Sequence, residues 1–241
     1  MSVAHRASAC RTSFCSRDES SFVTPQQTIK HPPPNRWENL IFARIHVLRG
    51  WLARETAVPH FGEPMSLAIN IRADNDPAGE IERLWDQVGA FEAKPSMRAL
   101  GYRPHFTFAI YDGPAVDQQV AWNAMLAAVA GETQLRIEFR RIRWFEGSPL
   151  VLWAEPVVDR ALARIHSAVS AAIDPAHCRP HYRPGAWIPH CTLGTAVAGE
   201  RCGDAIAYAR GFDRSFEVTF DTVDCVSFPP VRILAERRLP S

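Results

Sequence analysis

The chain has 241 residues, enough for one large domain or two small lobes. Hydrophobic residues make up 46% and charged residues 22%, as in a chain with an ordinary core, and the closest candidate for a membrane span, Leu40 to Leu52, is interrupted by Arg44, His46 and Arg49, so no transmembrane helix is expected. Net charge is only +1, with eight Lys/Arg against five acids in residues 1–64 and a slight acidic excess in the remainder, so a small or terminal phosphate ester suits this chain better than a long, many-phosphate nucleic acid, and neither DNA nor a membrane is expected as a partner.

Residues 1–64 are rich in Ser, Thr, Pro and Arg and break at His31-Pro32-Pro33-Pro34. Asn35 to Glu55 has an apolar face (Leu40, Ile41, Ile45, Leu48, Leu52) that predicts a helix before Pro59 and Pro64. The segment reads as an N-terminal extension, either a poorly ordered arm or sequence upstream of a true start at Met65. Residues 65–241 read as a two-lobed domain.

Leu67 to Ile71 alternates as a strand, and Asp76-Pro77 opens a helix through Ile81, Leu84, Trp85 and Val88. His105 to Tyr111 reads as a strand and Ala115 to Ala130 as a helix. Gln134 to Phe145 and Leu150 to Glu155 are strands joined across Gly147-Ser148-Pro149. Val157 to Ile173 is helical, His190 to Val197 a strand and Arg201 to Gly211 a short helix. Ser215 to Ser227 and Val231 to Arg237 read as a closing hairpin across Pro229-Pro230. Ile137–Glu155 can be laid over Val218–Glu236 at a constant offset of 81 residues, which points to a duplicated α+β lobe.

Two motifs carry chemistry. Pro104-His105-Phe106-Thr107-Phe108 and Pro189-His190-Cys191-Thr192-Leu193 share Pro, His, Thr and a final hydrophobic residue, and each stands at the start of a predicted strand. Residues i and i+2 of a strand share a face, so each motif sets an imidazole beside a hydroxyl and turns Phe106 or Cys191 to the core. Proline cannot donate to a ladder, which suits a strand's first position. Two imidazoles flanking one phosphorus can act as base and acid near neutrality, and the threonine hydroxyls can hydrogen-bond the non-bridging oxygens. No metal enters this scheme. His177, Cys178, His181, Cys191 and Cys202 match no zinc-ligand spacing, and the six cysteines read as reduced thiols.

The paired motifs resemble the signature of the two-histidine (2H) phosphoesterase superfamily, and Trp187 to Leu193 is similar to the second motif of its 2′-5′ RNA ligase family. The resemblance covers about residues 65–239. Phe108 stands where leucine is more usual. The resemblance implies an α+β fold of two pseudo-symmetric antiparallel-sheet lobes, with helices outside and the active-site cleft between the lobes. It implies a metal-independent hydrolase without cofactor, with His105 and His190 as catalytic pair and Thr107 and Thr192 as phosphate contacts. Expected substrates are 2′,3′-cyclic or related cyclic phosphates of RNA ends or small nucleotides. The alternatives are 2′-5′ ligation or cleavage on RNA, and a non-catalytic nucleotide- or RNA-binding module. A cytoplasmic monomer is expected. Tyr102, Arg103, Tyr182, Arg183 and Trp187 flank the motifs as substrate-contact candidates, through guanidinium–phosphate pairing or base stacking. Phe139, Trp144, Phe145 and Trp153 are expected in the core.

Overall fold

The computed structural model describes residues 65–75 and 78–241. The N-terminal extension, its helix over Asn35 to Glu55 and the Asp76-Pro77 helix start lie outside the described residues. Among the described residues, eight strands form two four-stranded antiparallel sheets. The strands are β1 (Ser66–Arg72), β2 (His105–Asp112), β3 (Leu135–Phe145), β4 (Leu150–Pro156), β5 (Cys191–Val197), β6 (Phe216–Phe220), β7 (Thr222–Phe228) and β8 (Arg232–Arg238). The helices are α1 (Gly79–Gly89), α2 (Ser96–Ala99), α3 (Gln118–Ala128), α4 (Arg160–Ala172) and α5 (Cys202–Arg210). Among the described residues no helix is long and apolar enough to cross a membrane.

The first sheet has the order β2-β1-β7-β8 and the second β5-β4-β3-β6. The run strand–helix–strand–helix–strand therefore occurs twice, as β1-α1-β2-α3-β3 and β4-α4-β5-α5-β6/β7. The runs exchange their last strands: β3 pairs with β4, and β7 pairs with β1. They exchange helices too, because α1 packs on β5 and α4 on β2. Where β3 meets β6, Ile137 lies opposite Val218, and those two residues are separated by the same 81 positions that align the sequence segments. A pseudo-twofold relation therefore passes through this antiparallel pair.

Local chemistry moves three predicted boundaries. Asp117 and Asp159 cap α3 and α4, their carboxylates accepting from Gln119 N at 2.7 Å and from Ala161 N and Leu162 N at 2.7 and 3.0 Å, so these helices begin later than periodicity suggests. His190 precedes β5 rather than opening it. The expected strand from Ser215 to Ser227 is broken at the buried Asp221, whose amide donates to Arg72 O at 3.1 Å and whose carbonyl accepts from Leu239 N at 2.7 Å. There the chain leaves one sheet for the other, a step that hydrophobic alternation does not record. The hairpin overlay also needs correction beyond its first strand. β4 lies inside its sheet and is almost wholly buried, whereas β8 is a largely exposed edge. Each follows its partner by a tight turn, which makes them alike in sequence pattern, but the counterpart of β4 in the fold is β1.

Phe106, Phe139 and Phe220, all fully buried, join the two sheets behind the motifs, with Phe106 and Phe220 ring centroids 4.7 Å apart. Side chains of this size contribute about 2–3 kcal/mol each by removal from water, so this cluster ties the two motif strands to one core. Gly194 on β5 admits α1 closely: a Cβ there would stand 2.6 Å from Val88 Cγ1.

Candidate active site

The two motif strands are edge strands, β2 of one sheet and β5 of the other, and their starts lie against each other. The Cys191 thiol reaches the His105 backbone, and the charge of His105 is felt at His190. The structure thus brings His105, Thr107, His190 and Thr192 together. All four are half-buried, while Phe106 and Cys191 are buried on the opposite face, the alternation that a two-residue period requires.

Both imidazoles are held the same way. His105 Nδ1 lies 2.8 Å from Arg103 O, and His190 Nδ1 lies 2.7 Å from Ile188 O. A carbonyl only accepts, so each Nδ1 carries its proton and donates. That leaves each Nε2 free to take or give a proton. The motif threonines are also held alike through their backbones. Trp187 Nε1 donates to Thr107 O and Trp85 Nε1 to Thr192 O, both at 2.9 Å. These indoles satisfy carbonyls that an edge strand leaves unpaired.

The surroundings of the two imidazoles differ. Across the first sheet, Thr107, Asn70, Asp224 and Glu236 form one row, and His105 lies opposite Arg72. Thr107 Oγ1 donates to Asn70 Oδ1 at 2.8 Å, and Asn70 Nδ2 donates to Asp224 Oδ1 at 2.9 Å. Asp224 Oδ2 accepts from Tyr102 OH and from Arg72, whose guanidinium also reaches Glu236 and Asp74. Across the second sheet the row is Thr192, Trp153 and Arg143. Trp153 stacks on Phe145 with centroids 5.0 Å apart, and both rings stand edge-on to His190, at 5.9 and 5.2 Å. Arg143 pairs with Glu155 at 3.1 Å.

Electrostatics follow from these settings. Burial pushes the His190 imidazole down to about 4, and the charge of His105 adds to the effect. Burial also lowers His105, but its hydrogen bond to the Arg103 carbonyl and, less strongly, Asp224 oppose that shift while Arg72 adds to it. Tyr102 is held well above the ordinary phenol value, first by burial and then by Asp224.

The flanking candidates are largely engaged inside the protein. Tyr102 is buried in the Asp224 network, with its ring 4.8 Å from that of His105. Arg103 pairs with Glu82 at 2.8 Å, and Arg183 donates to Cys178 O and Ala176 O at 2.8 and 3.0 Å. Tyr182 is buried and faces the Thr107 hydroxyl. Trp187 stacks on His166 with centroids 4.2 Å apart. Of the four aromatics expected in the core, Phe139 and Trp153 are buried, while Trp144 and Phe145 are only partly so. Phe145 and Trp153 flank His190, because they share the face of the sheet that carries the motif threonine. Sequence reading missed Asn70, Arg72 and Asp224, which come from distant stretches of chain, and nothing near the motifs marks them. His181, which the sequence places in the loop before the second motif beside Tyr182, has an imidazole that feels the charge of His190.

Two antiparallel sheets that each present an imidazole and a hydroxyl at facing edges make the architecture of a two-histidine phosphoesterase. A family model described as the 2′-5′ RNA ligase superfamily matches residues 73–229, and the chain belongs to that superfamily. Among solved structures, E. coli LigT complexed with NADP+ is similar at 17% identity, covering 75% of this chain and 100% of that one with a TM-score of 0.46. TT0787 of Thermus thermophilus is similar at 14% identity, covering 73% and 98% with a TM-score of 0.49. No curated protein matches.

Proposed function

We propose that this protein opens 2′,3′-cyclic phosphates, or related cyclic phosphate esters, of RNA ends or nucleotides, with His105 and His190 as its acid and base. The observation that carries this reading is the shared anchoring of both imidazoles, each Nδ1 donating to the carbonyl two residues back so that its Nε2 is left for chemistry. A cyclic phosphodiester needs a base for the incoming oxygen and an acid for the departing one. Here His190, pushed down to about 4 between Phe145 and Trp153, is neutral near pH 7 and serves as base. Burial lowers His105 as well, but the Arg103 carbonyl and Asp224 favour its charged form, so it holds its proton on the acid side of neutrality and serves as acid. His190 takes the proton of the attacking water as its oxygen bonds to phosphorus. His105 gives a proton to the ribose oxygen as its bond to phosphorus breaks. The products are a phosphomonoester and a free vicinal hydroxyl. The small net charge fits a compact substrate rather than long RNA.

The test is a panel assayed with chelator present: 2′,3′-cyclic mononucleotides, an ADP-ribose cyclic phosphate, 2′-5′ oligoadenylate and RNA with a cyclic end. Turnover of a cyclic ester is expected, and its loss in His105→Ala. Cleavage of 2′-5′ oligoadenylate alone would move the activity to the RNA linkage. A His105→Ala protein of near-normal activity would refute the scheme.

A further inference from the structure

The two sheets present opposite charge on the faces that carry the motif threonines. On the first sheet the guanidinium of Arg72 is shared among three carboxylates, those of Asp74, Asp224 and Glu236, so the cluster is net negative. On the second sheet the ratio reverses. Arg143 lies opposite Trp153, which lies opposite Thr192, so these three share one face. Arg141, two residues before Arg143, lies opposite Glu155 on that same face. Among the described residues, Glu155 is the one carboxylate within ion-pair distance of either arginine, at 3.1 Å from Arg143 and 3.9 Å from Arg141. Two cations therefore share one anion, and one positive charge is left over. Arg143 is 41% exposed and Arg141 67%, and an exposed ion pair holds its members loosely. The other guanidiniums beside the motifs are engaged: Arg103 by Glu82, Arg179 by both oxygens of Asp112, and Arg183 by two carbonyls.

Neighbouring strands stand about 4.8 Å apart, so the Arg143 backbone lies about 10 Å from that of Thr192. Trp153, between them, is buried and stacked on Phe145, which gives the interval an apolar floor. The row therefore runs from a hydroxyl beside His190, over an aromatic surface, to a surplus cation. A nucleotide with phosphate at both ends of its ribose has the matching order of phosphate, sugar and phosphate. Resting on the cyclic-phosphatase reading above, we infer that Arg143, assisted by Arg141, binds a second phosphate of the substrate, the one on the 5′ oxygen of the ribose that carries the cyclic ester. A guanidinium suits this role, since its planar fork pairs with two phosphate oxygens at once. Glu155 competes with that phosphate for Arg143. The negative cluster on the first sheet repels the second phosphate, so the charge difference between the sheets also fixes which way round the substrate lies. A terminal 5′-phosphate and the diester to a preceding nucleotide offer the same chemistry, and a free 5′-hydroxyl gains nothing. Arg143 thus sets specificity, and no proton transfer passes through it.

The experiment compares kcat/KM at low salt for 2′,3′-cyclic AMP, its 5′-phosphorylated form, and the dinucleotide ApA with a 2′,3′-cyclic end. The full chain is used as wild type, Arg143→Gln, Arg143→Lys, Arg141→Gln and Glu155→Gln. Wild type should prefer at least one of the two substrates with a second phosphate by about ten- to a hundredfold, the size of one charge-assisted contact. A gain for the 5′-phosphorylated ester alone assigns the site to a terminal phosphate, and a gain for the dinucleotide alone to the diester. Arg143→Gln should bring the ratio close to one, and Arg143→Lys should keep part of it. Arg141→Gln should reduce it less than Arg143→Gln, and Glu155→Gln should raise it. Added salt should shrink the wild-type ratio. No preference in wild type, a preference intact in Arg143→Gln, or one lowered in Glu155→Gln overturns the inference. If Arg143→Gln does not fold, Arg143→Lys and Glu155→Gln still decide. Dissociation constants of adenosine 2′- and 3′-phosphate against their 5′-phosphorylated counterparts separate the two claims. Turnover of none of the three substrates defeats the functional reading, while the binding ratio and its loss in Arg143→Gln still report the Arg143 site.

Discussion

The two halves of the site agree in their backbones and disagree in their side chains. Around His105 and around His190, a carbonyl two residues back fixes Nδ1, and an indole from elsewhere in the fold caps the motif threonine carbonyl. Behind Thr107 lies a buried network of Asn70, Asp224, Arg72 and Tyr102, whereas Phe145 and Trp153 flank His190. On the proposed mechanism acid and base alike need an aimed nitrogen, and that is the part the two halves share. Deciding which imidazole holds the proton, and which way round a ligand lies, requires the halves to differ.

The largest effect expected is on the shared part. His105→Ala and His190→Ala should each lower kcat/KM for a cyclic phosphate about 10²–10⁴-fold, and the double variant should lose little more, because the pair acts as a unit. Steady-state kinetics would break the comparison if one of the two proved dispensable. Next, Thr192→Val should cost about 10²–10³-fold in kcat through loss of a charge-stabilising donor, and Thr107→Val less than that. Equal losses would show that the polar network does not distinguish the two hydroxyls.

The pH profile sharpens the contrast between the imidazoles. On the proposed mechanism the active form has His190 neutral and His105 protonated. As pH rises, kcat/KM should climb while His190 deprotonates near 4 and then fall while His105 deprotonates, below its ordinary 6.5. The optimum therefore falls on the acid side of neutrality. Asp224 favours the charged form of His105, so Asp224→Asn should move the falling limb to still lower pH and leave the rising limb in place. A falling limb unmoved by that change would dissociate Asp224 from His105. The smallest effect is structural. Trp85→Phe and Trp187→Phe each strand a carbonyl at about 1 kcal/mol, read as a shift in the urea midpoint. A matching loss in both would support the pseudo-twofold equivalence of the caps.

The catalytic candidates and most of the elements were legible in the amino-acid sequence because they depend on short-range order. Alternation places His105 with Thr107 and His190 with Thr192 wherever those strands end up. Apolar spacing marks α1 by Ile81, Leu84, Trp85 and Val88, all of which are buried. Even the internal duplication left its 81-residue offset in the chain, and that offset reappears as the register of Ile137 on Val218. The exchange of strands between sheets, the break at Asp221 and the different fates of β4 and β8 were decided only in three dimensions. So were the partners of Thr107, since Asn70 and Asp224 are 37 and 154 residues from Thr107 and Asn70 respectively. Periodicity reports which face a side chain takes, because that is set by the local backbone. It says nothing of what lies on the neighbouring strand, because strand pairing is chosen by the burial and hydrogen bonding of the whole core.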